Sequence, residues 1–187
     1  MQVLISLLRG VNMTGHNKII MTDLTALYNR LGFRDAETFI QSWNVIFSNP
    51  EDQPLEELSA IIEEAILKRF KFNIPVLMRS AEDLKEVIYV NPFAEEVNFN
   101  PEKLAVIFLY EIPLKEQIEK VRNIDYPPDK FKINGKEIYI YCPNGFGKTK
   151  LYTNFFENKM KVTGTARNWK TINTIYGMAV KRYLTDN

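Results

Sequence analysis

Three groups of residues in this sequence have the types and spacing to hold an anion. The first runs from Arg9 to Lys18, where Arg9, Gly10, Asn12, Gly15, His16, Asn17 and Lys18 form a polar connection between two apolar segments. Glycines let a ligand approach the backbone, Arg9 and Lys18 supply charge, and Asn12 and Asn17 supply amide hydrogen bonds. Long polar connections are unusual without a function; the plainer role is an ordered surface loop stapling two subdomains. The second group is Gly145-Phe146-Gly147-Lys148-Thr149, which follows a strand-like run and precedes a helix-like one. Free N–H groups and the helix dipole at such a junction favour phosphate, and the run ends in the Gly-Lys-Thr of a P-loop. The first P-loop glycine would fall at Cys142, however, and Pro143 lacks a backbone donor. Plain anion binding therefore fits better than nucleotide hydrolysis, and a simple glycine-rich helix entry fits better still. The third group is Arg79 and Arg167, each at a strand end just before a helix cap, Ser80 and Asn168 respectively. Two equivalent guanidinium groups would flank one anion if the halves of the chain pack with twofold symmetry. Their plainer role is to bond carbonyls or a carboxylate between subdomains.

Other chemistries find less support. The single cysteine, Cys142, excludes an internal disulfide, and with His16 as the single histidine there are too few soft ligands for a Cys/His zinc site. No acidic cluster points to a hard cation, so neither a metal nor a cofactor is expected. His16 and Cys142 would form a nucleophilic dyad only by long-range coincidence, and a cysteine ending an apolar strand reads as a small buried hydrophobe. Glu56-Glu57 and Glu95-Glu96 are adjacent rather than convergent and read as solvated surface. Catalytic residues and a reaction are left unassigned.

The formal net charge of +1 argues against a strongly nucleic-acid-binding protein, but its distribution is uneven. From Lys148 to Arg182 eight basic residues face Glu157 alone, so this segment carries +7 and the remainder −6. The C-terminal end should attract anions unless these lysines simply solvate helix faces. Hydrophobic residues make up 45% of the 187, enough for one large core or two small ones. The apolar run Val3 to Leu8 is interrupted at Ser6 and stopped by Arg9, too short for a signal peptide or a membrane span. A cytoplasmic protein with no membrane partner is the expectation.

The elements that must position these groups follow from periodicity. Val3 to Leu8 reads as a buried strand, and Leu24, Leu27, Tyr28 and Leu31 recur at helical spacing, predicting a helix over 22–31 closed by Gly32 and Phe33. Thr38 to Gln41 and Asn44 to Phe47 are strand-like and joined through Ser42-Trp43, a tight hairpin. Pro54 opens a helix whose stripe is Leu55, Leu58, Ile62, Ala65 and Ile66. Ile74 to Met78 is the fourth strand. Ser80 and Asp83 then form a capping box for a helix burying Leu84, Val87 and Ile88.

The second half repeats this order. Leu104 to Leu109 is a strand, and Pro113 opens a helix with Leu114, Ile118 and Val121 inward. Phe131 to Tyr141 is a hairpin turned at Asn134-Gly135. Leu151, Tyr152, Phe155 and Phe156 mark the next helix, and Val162 to Ala166 a strand. Asn168 caps a last helix with Trp169, Ile172, Tyr176, Ala179 and Tyr183 inward. The prediction is an α+β chain of two tandem ferredoxin-like βαββαβ units, with antiparallel sheets and helices on one face. Asn91-Pro92 and Asn100-Pro101 place the bend near 91–101, giving units 1–95 and 96–187.

Leu7-Leu8-Arg9-Gly10-Val11-Asn12, Gly15, Asn17, Met21, Leu24, Leu31-Gly32-Phe33, Thr38-Phe39-Ile40-Gln41-Ser42 and Asn44-Val45-Ile46-Phe47 resemble the bacterial domain of unknown function family 1697. The resemblance extends to Asn144 through Leu151 and Thr165 through Thr171. It implies a cytoplasmic bacterial protein of two ferredoxin-like subdomains, and it carries no catalytic residues with it. One departure stands out: the family's first hairpin reads Gln-Ser-Gly-Asn, and here Trp43 takes the glycine's place between Gln41 and Asn44. A positive φ there costs a bulky residue on the order of 1 kcal/mol, so either the turn differs in type or packing holds Trp43. Gln41 and Asn44 join the candidate anion-binding set, which otherwise comprises Arg9, Gly10, Asn12, Asn17, Lys18, Arg79, Lys148, Arg167 and Asn168.

Three functions compete on this reading. The first is binding of a phosphorylated small molecule or nucleotide at basic loops between the two units. The second, less favoured, is binding of single-stranded nucleic acid on a sheet face where Tyr139 and Tyr141 sit together. The hairpin lacks the glycine-aromatic RNP1 pattern, and the near-neutral charge weighs against it. The third is an enzyme acting on a small metabolite.

Overall fold

A computed structural model describes residues 1–10, 19–39 and 43–185. The chain forms two compact units, one of residues 1–86 together with the C-terminal segment from Asn173, the other Val87–Ile172. This division differs from the expected one at 95/96. The last helix begins in the second unit and ends in the first, because its inward stripe continues past Ile172 through Ile175 and Ala179, both fully buried.

In the first unit, β1 (Gln2–Leu8), α1 (Met21–Arg30), β2 (Arg34–Phe39), β3 (Asn44–Asn49), α2 (Leu55–Phe70) and β4 (Val76–Ser80) follow the βαββαβ order. The sheet is antiparallel with strand order β2-β3-β1-β4. Alternation along the central strands sends Leu4, Leu8, Val45, Phe47, Val76 and Met78 into one core with Leu24, Leu27 and Tyr28 of α1 and Leu58, Ile62 and Ile66 of α2. Ser6 is a polar insertion in β1, and its Oγ lies 2.6 Å from Tyr28 Oη, so each hydroxyl meets the other's need inside the core. The opposite sheet face is not open to solvent: Ile5, Leu7, Ile46 and Leu77 are buried as well. That double burial explains why β1 and β3 read as continuous apolar runs.

Local signals hold well here. Gly32 takes φ +89, its N–H reaches Asn29 O, and Phe33 packs onto Phe47 at 4.5 Å, closing α1 as predicted. Ser80 and Asp83 form the reciprocal capping box at the start of α3 (Ala81–Tyr89), with bonds of 2.7 and 3.0 Å. β2 starts earlier than expected, at Arg34, through an irregular register in which Asp35 takes φ +53.

In the second unit, β5 (Leu104–Leu109), α4 (Lys115–Arg122), β6 (Lys130–Asn134), β7 (Glu137–Tyr141), α5 (Thr153–Met160) and β8 (Gly164–Asn168) repeat the order, with sheet order β6-β7-β5-β8. α6 (Trp169–Thr185) follows, and Asn168 Oδ1 accepts from Thr171 N at 2.8 Å as its cap. Ile107, Leu109, Ile138 and Ile140 pack with Val121, Leu151, Phe156 and Met160. On the other sheet face Phe93 stacks on Tyr141 at 5.6 Å, and Tyr139 Oη donates to Val87 O at 2.9 Å. Two residues expected inward, Leu114 and Tyr183, are exposed; Leu114 precedes the helix it was assigned to, as exposed Tyr152 precedes α5, and so each escapes that helix's periodicity. The pair Asn134↔Glu137 also moves the hairpin turn one residue on, to Gly135-Lys136, with Gly135 at φ +56. Among the described residues no helix is long and apolar enough to cross a membrane.

Candidate functional site

Seven of the eleven candidate site residues fall within the described residues; Asn12, Asn17, Lys18 and Gln41 lie outside them. In the first unit Arg9 follows β1 and its backbone N–H donates to Pro75 O at 3.0 Å, while Gly10 is exposed at φ +73. Asn44 is wholly buried in β3, opposite Leu7 and Phe39 in the ladder. Arg79 is 7% exposed, sits in β4 opposite Ile5, and donates Nη1 to Met78 O at 3.0 Å.

Arg167 occupies the equivalent place in β8, opposite Val106, and is also 7% exposed. Its Nη1 donates to Thr165 Oγ1 and to Ala166 O, both at 2.8 Å. Burial brings its pKa down to about 10, partly offset by the nearby Tyr110. In both units, then, the strand-end arginine donates to the carbonyl of the residue before it, a geometry set by the strand itself. Both of these carbonyl bonds are made inside the arginine's own unit.

The glycine-rich run departs from expectation. Phe146–Lys148 forms a single 3-10 turn, and α5 starts only at Thr153, so the run does not open a helix. Gly145 at φ +85 reverses the chain, and Thr149 is buried with its Oγ1 accepting from Leu151 N at 3.0 Å. Thr149 is thus turned inward to tie the loop, away from any position in which a P-loop threonine would work. Lys150 lies over the Tyr126 ring at 5.3 Å, and Lys148 is exposed. Cys142 is buried, and burial pushes its thiol pKa up, which suits the packing role expected of it.

A residue that spacing does not reveal also belongs to this loop. The β5–β7 register pairs Leu104 with Tyr141, and Cys142 N donates to Lys103 O at 2.9 Å. This sets Lys103 beside the turn, with its Nζ 3.6 Å from the point where a Cβ on Gly145 would stand. Among the described residues neither Lys103 nor Lys148 makes an ion pair with a carboxylate. The linear separation of 103 from 145 hides the pairing; only strand register brings them together. Tyr139 and Tyr141, by contrast, are 0% and 7% exposed, so the aromatic platform invoked for base stacking is interior packing.

Trp43 resolves the question of the first hairpin. It takes φ +52, the left-handed region that a glycine occupies freely, and it packs partly buried on the first unit's core. Its carbonyl accepts from Leu8 N at 3.0 Å. Packing holds the bulky residue in a glycine conformation.

These features define a mixed α/β protein of two units, each with a four-stranded antiparallel sheet. The chain belongs to the family described as "Protein of unknown function (DUF1697)", whose profile matches residues 1–139. The motifs at 144–151 and 165–171 lie beyond that match. Among solved structures, the conserved bacterial protein SP0830 from Streptococcus pneumoniae is similar in fold, with a TM-score of 0.73 at 20% identity, covering 95% of this chain and 98% of that one. No curated protein matches the sequence.

Proposed function

We propose that the protein binds a phosphate-bearing small molecule at the loop between β7 and α5, using Lys103, Gly145, Gly147 and Lys148. The observation that carries this reading is the approach of Lys103 Nζ to the open side of Gly145, beside a loop whose other lysine, Lys148, is exposed. Two ammonium groups without carboxylate partners in a glycine turn supply charge and close backbone approach together. Within the same unit, residues 148–172 carry six basic side chains against Glu157 alone, which adds a favourable field. The burial of Tyr139 and Tyr141 weighs against the single-stranded nucleic acid reading. In this reading the molecule is a cytoplasmic bacterial protein built by duplication of a ferredoxin-like unit. The shared strand order and the matching Arg79 and Arg167 contacts support that duplication.

A thermal-shift series tests it with inorganic phosphate, a nucleoside monophosphate, a hexose phosphate and a single-stranded oligonucleotide. A phosphate compound should raise the melting temperature of wild type and of Lys159→Ala, an exposed control on α5, but not of Lys103→Ala or Lys148→Ala. Equal shifts in all four proteins, or a shift with the oligonucleotide alone, would overturn the assignment.

A further inference from the structure

The first unit holds a separate cleft of about 740 Å³, between the start of β1, the segment after β3, the first turn of α3 and the outer face of α6. That volume lies within the range of small-molecule sites and is small for a protein partner. Tyr176, Val180, Tyr183 and Leu184 follow the i, i+4, i+7, i+8 pattern, a second stripe beside the one that α6 buries through Ile175 and Ala179. Tyr183 and Leu184 are 57% and 74% exposed while Tyr176 and Val180 are half-buried, so the stripe lines the cleft with apolar surface that its own unit covers only in part.

The rim is acidic. Glu82 pairs with Lys85 at 2.9 Å, which leaves Glu51 and Asp52, both exposed and, among the described residues, without an ion-pair partner. Gln2 also lines the cleft, and its Oε1 is buried with no hydrogen-bond partner among the described residues. Carboxylates and an unmet carbonyl oxygen both ask for N–H donors, and tyrosine faces attract cations.

We infer that this cleft binds an organic ammonium ion with an apolar body, its alkyl or aryl part on the α6 stripe and its charged nitrogen toward Glu51 and Asp52. The site is independent of the anion loop, which lies in the other unit.

Titration of 15N-labelled protein with hexylammonium, hexanoate and hexan-1-ol, followed by amide chemical shifts, separates the charge from the apolar contribution. Hexylammonium should give saturable shifts at Val3, Asp52, Ala81 and Val180, and hexanoate should bind about ten-fold more weakly. The double variant Glu51→Gln, Asp52→Asn should lose about the same factor for hexylammonium while keeping its hexan-1-ol shifts. Equal binding of the ammonium and the carboxylate by wild type would overturn the assignment without reference to any variant, and so would shifts confined to residues outside the cleft.

Discussion

Replacing Trp43 sets two opposed effects against each other at one position. The side chain lies partly buried on the core of the first unit, while its backbone sits at φ +52. Hiding about 100 Å² of indole is worth about 2.5 kcal/mol. The left-handed conformation costs a residue with a Cβ about 1.5 kcal/mol, and glycine loses about 0.7 kcal/mol more chain entropy on folding than alanine. Trp43→Ala keeps the strain and loses the packing, so it should destabilise by about 2.5 kcal/mol. Trp43→Gly loses the packing but sheds the strain, and should destabilise by about 1.7 kcal/mol. Glycine should therefore outrank alanine by about 0.8 kcal/mol, the reverse of the usual order in ordered structure. Urea unfolding followed by circular dichroism at 222 nm is the appropriate assay, because both variants lose Trp43 and the remaining tryptophan, Trp169, lies in the second unit. Alanine equal to or better than glycine would refute the strain; a glycine variant more stable than wild type would refute the packing.

Gly164 in β8 has no room for a side chain: a Cβ there would stand 2.8 Å from Ile107 Cγ2 and 2.9 Å from Phe108 O. Gly164→Ala should cost about 2–3 kcal/mol by overpacking, and a rise in melting temperature would contradict this. Tyr28 titrates above its ordinary value because burial outweighs the Ser6 hydrogen bond, so its contribution is complete below pH ~10 and declines above it by about 1.4 kcal/mol per pH unit. Arg167, lowered to about 10, acts with the opposite sign at higher pH. The decisive quantity is accordingly the wild-type minus Tyr28→Phe stability difference between pH 9 and 11, which should shrink; a constant difference would exclude the effect.

Local devices were legible in the residues because their physics is local. The capping boxes and caps at Ser80, Asp83 and Asn168, the glycine closure at Gly32 and the stripe of α2 each depend on atoms a few positions apart. Helix onsets were less legible: Lys148 and Thr149 carry a helix-entry pattern, yet α5 waits until Thr153 because Thr149 and Leu151 are drawn into the core. For the candidate site, Arg79 and Arg167 are legible by charge and by position before a cap, whereas the donation of each to the carbonyl of the residue before it is a matter of geometry that spacing does not show.

Composition, periodicity and turn chemistry were enough to determine two successive βαββαβ element orders and their caps, since each is decided by neighbours along the chain. Tertiary structure alone decided that Lys103 meets Gly145, that Tyr139 and Tyr141 are interior, and that the end of α6 belongs to the first unit. Those outcomes turn on strand register and on which faces are buried, and both are settled by contacts between residues far apart in sequence.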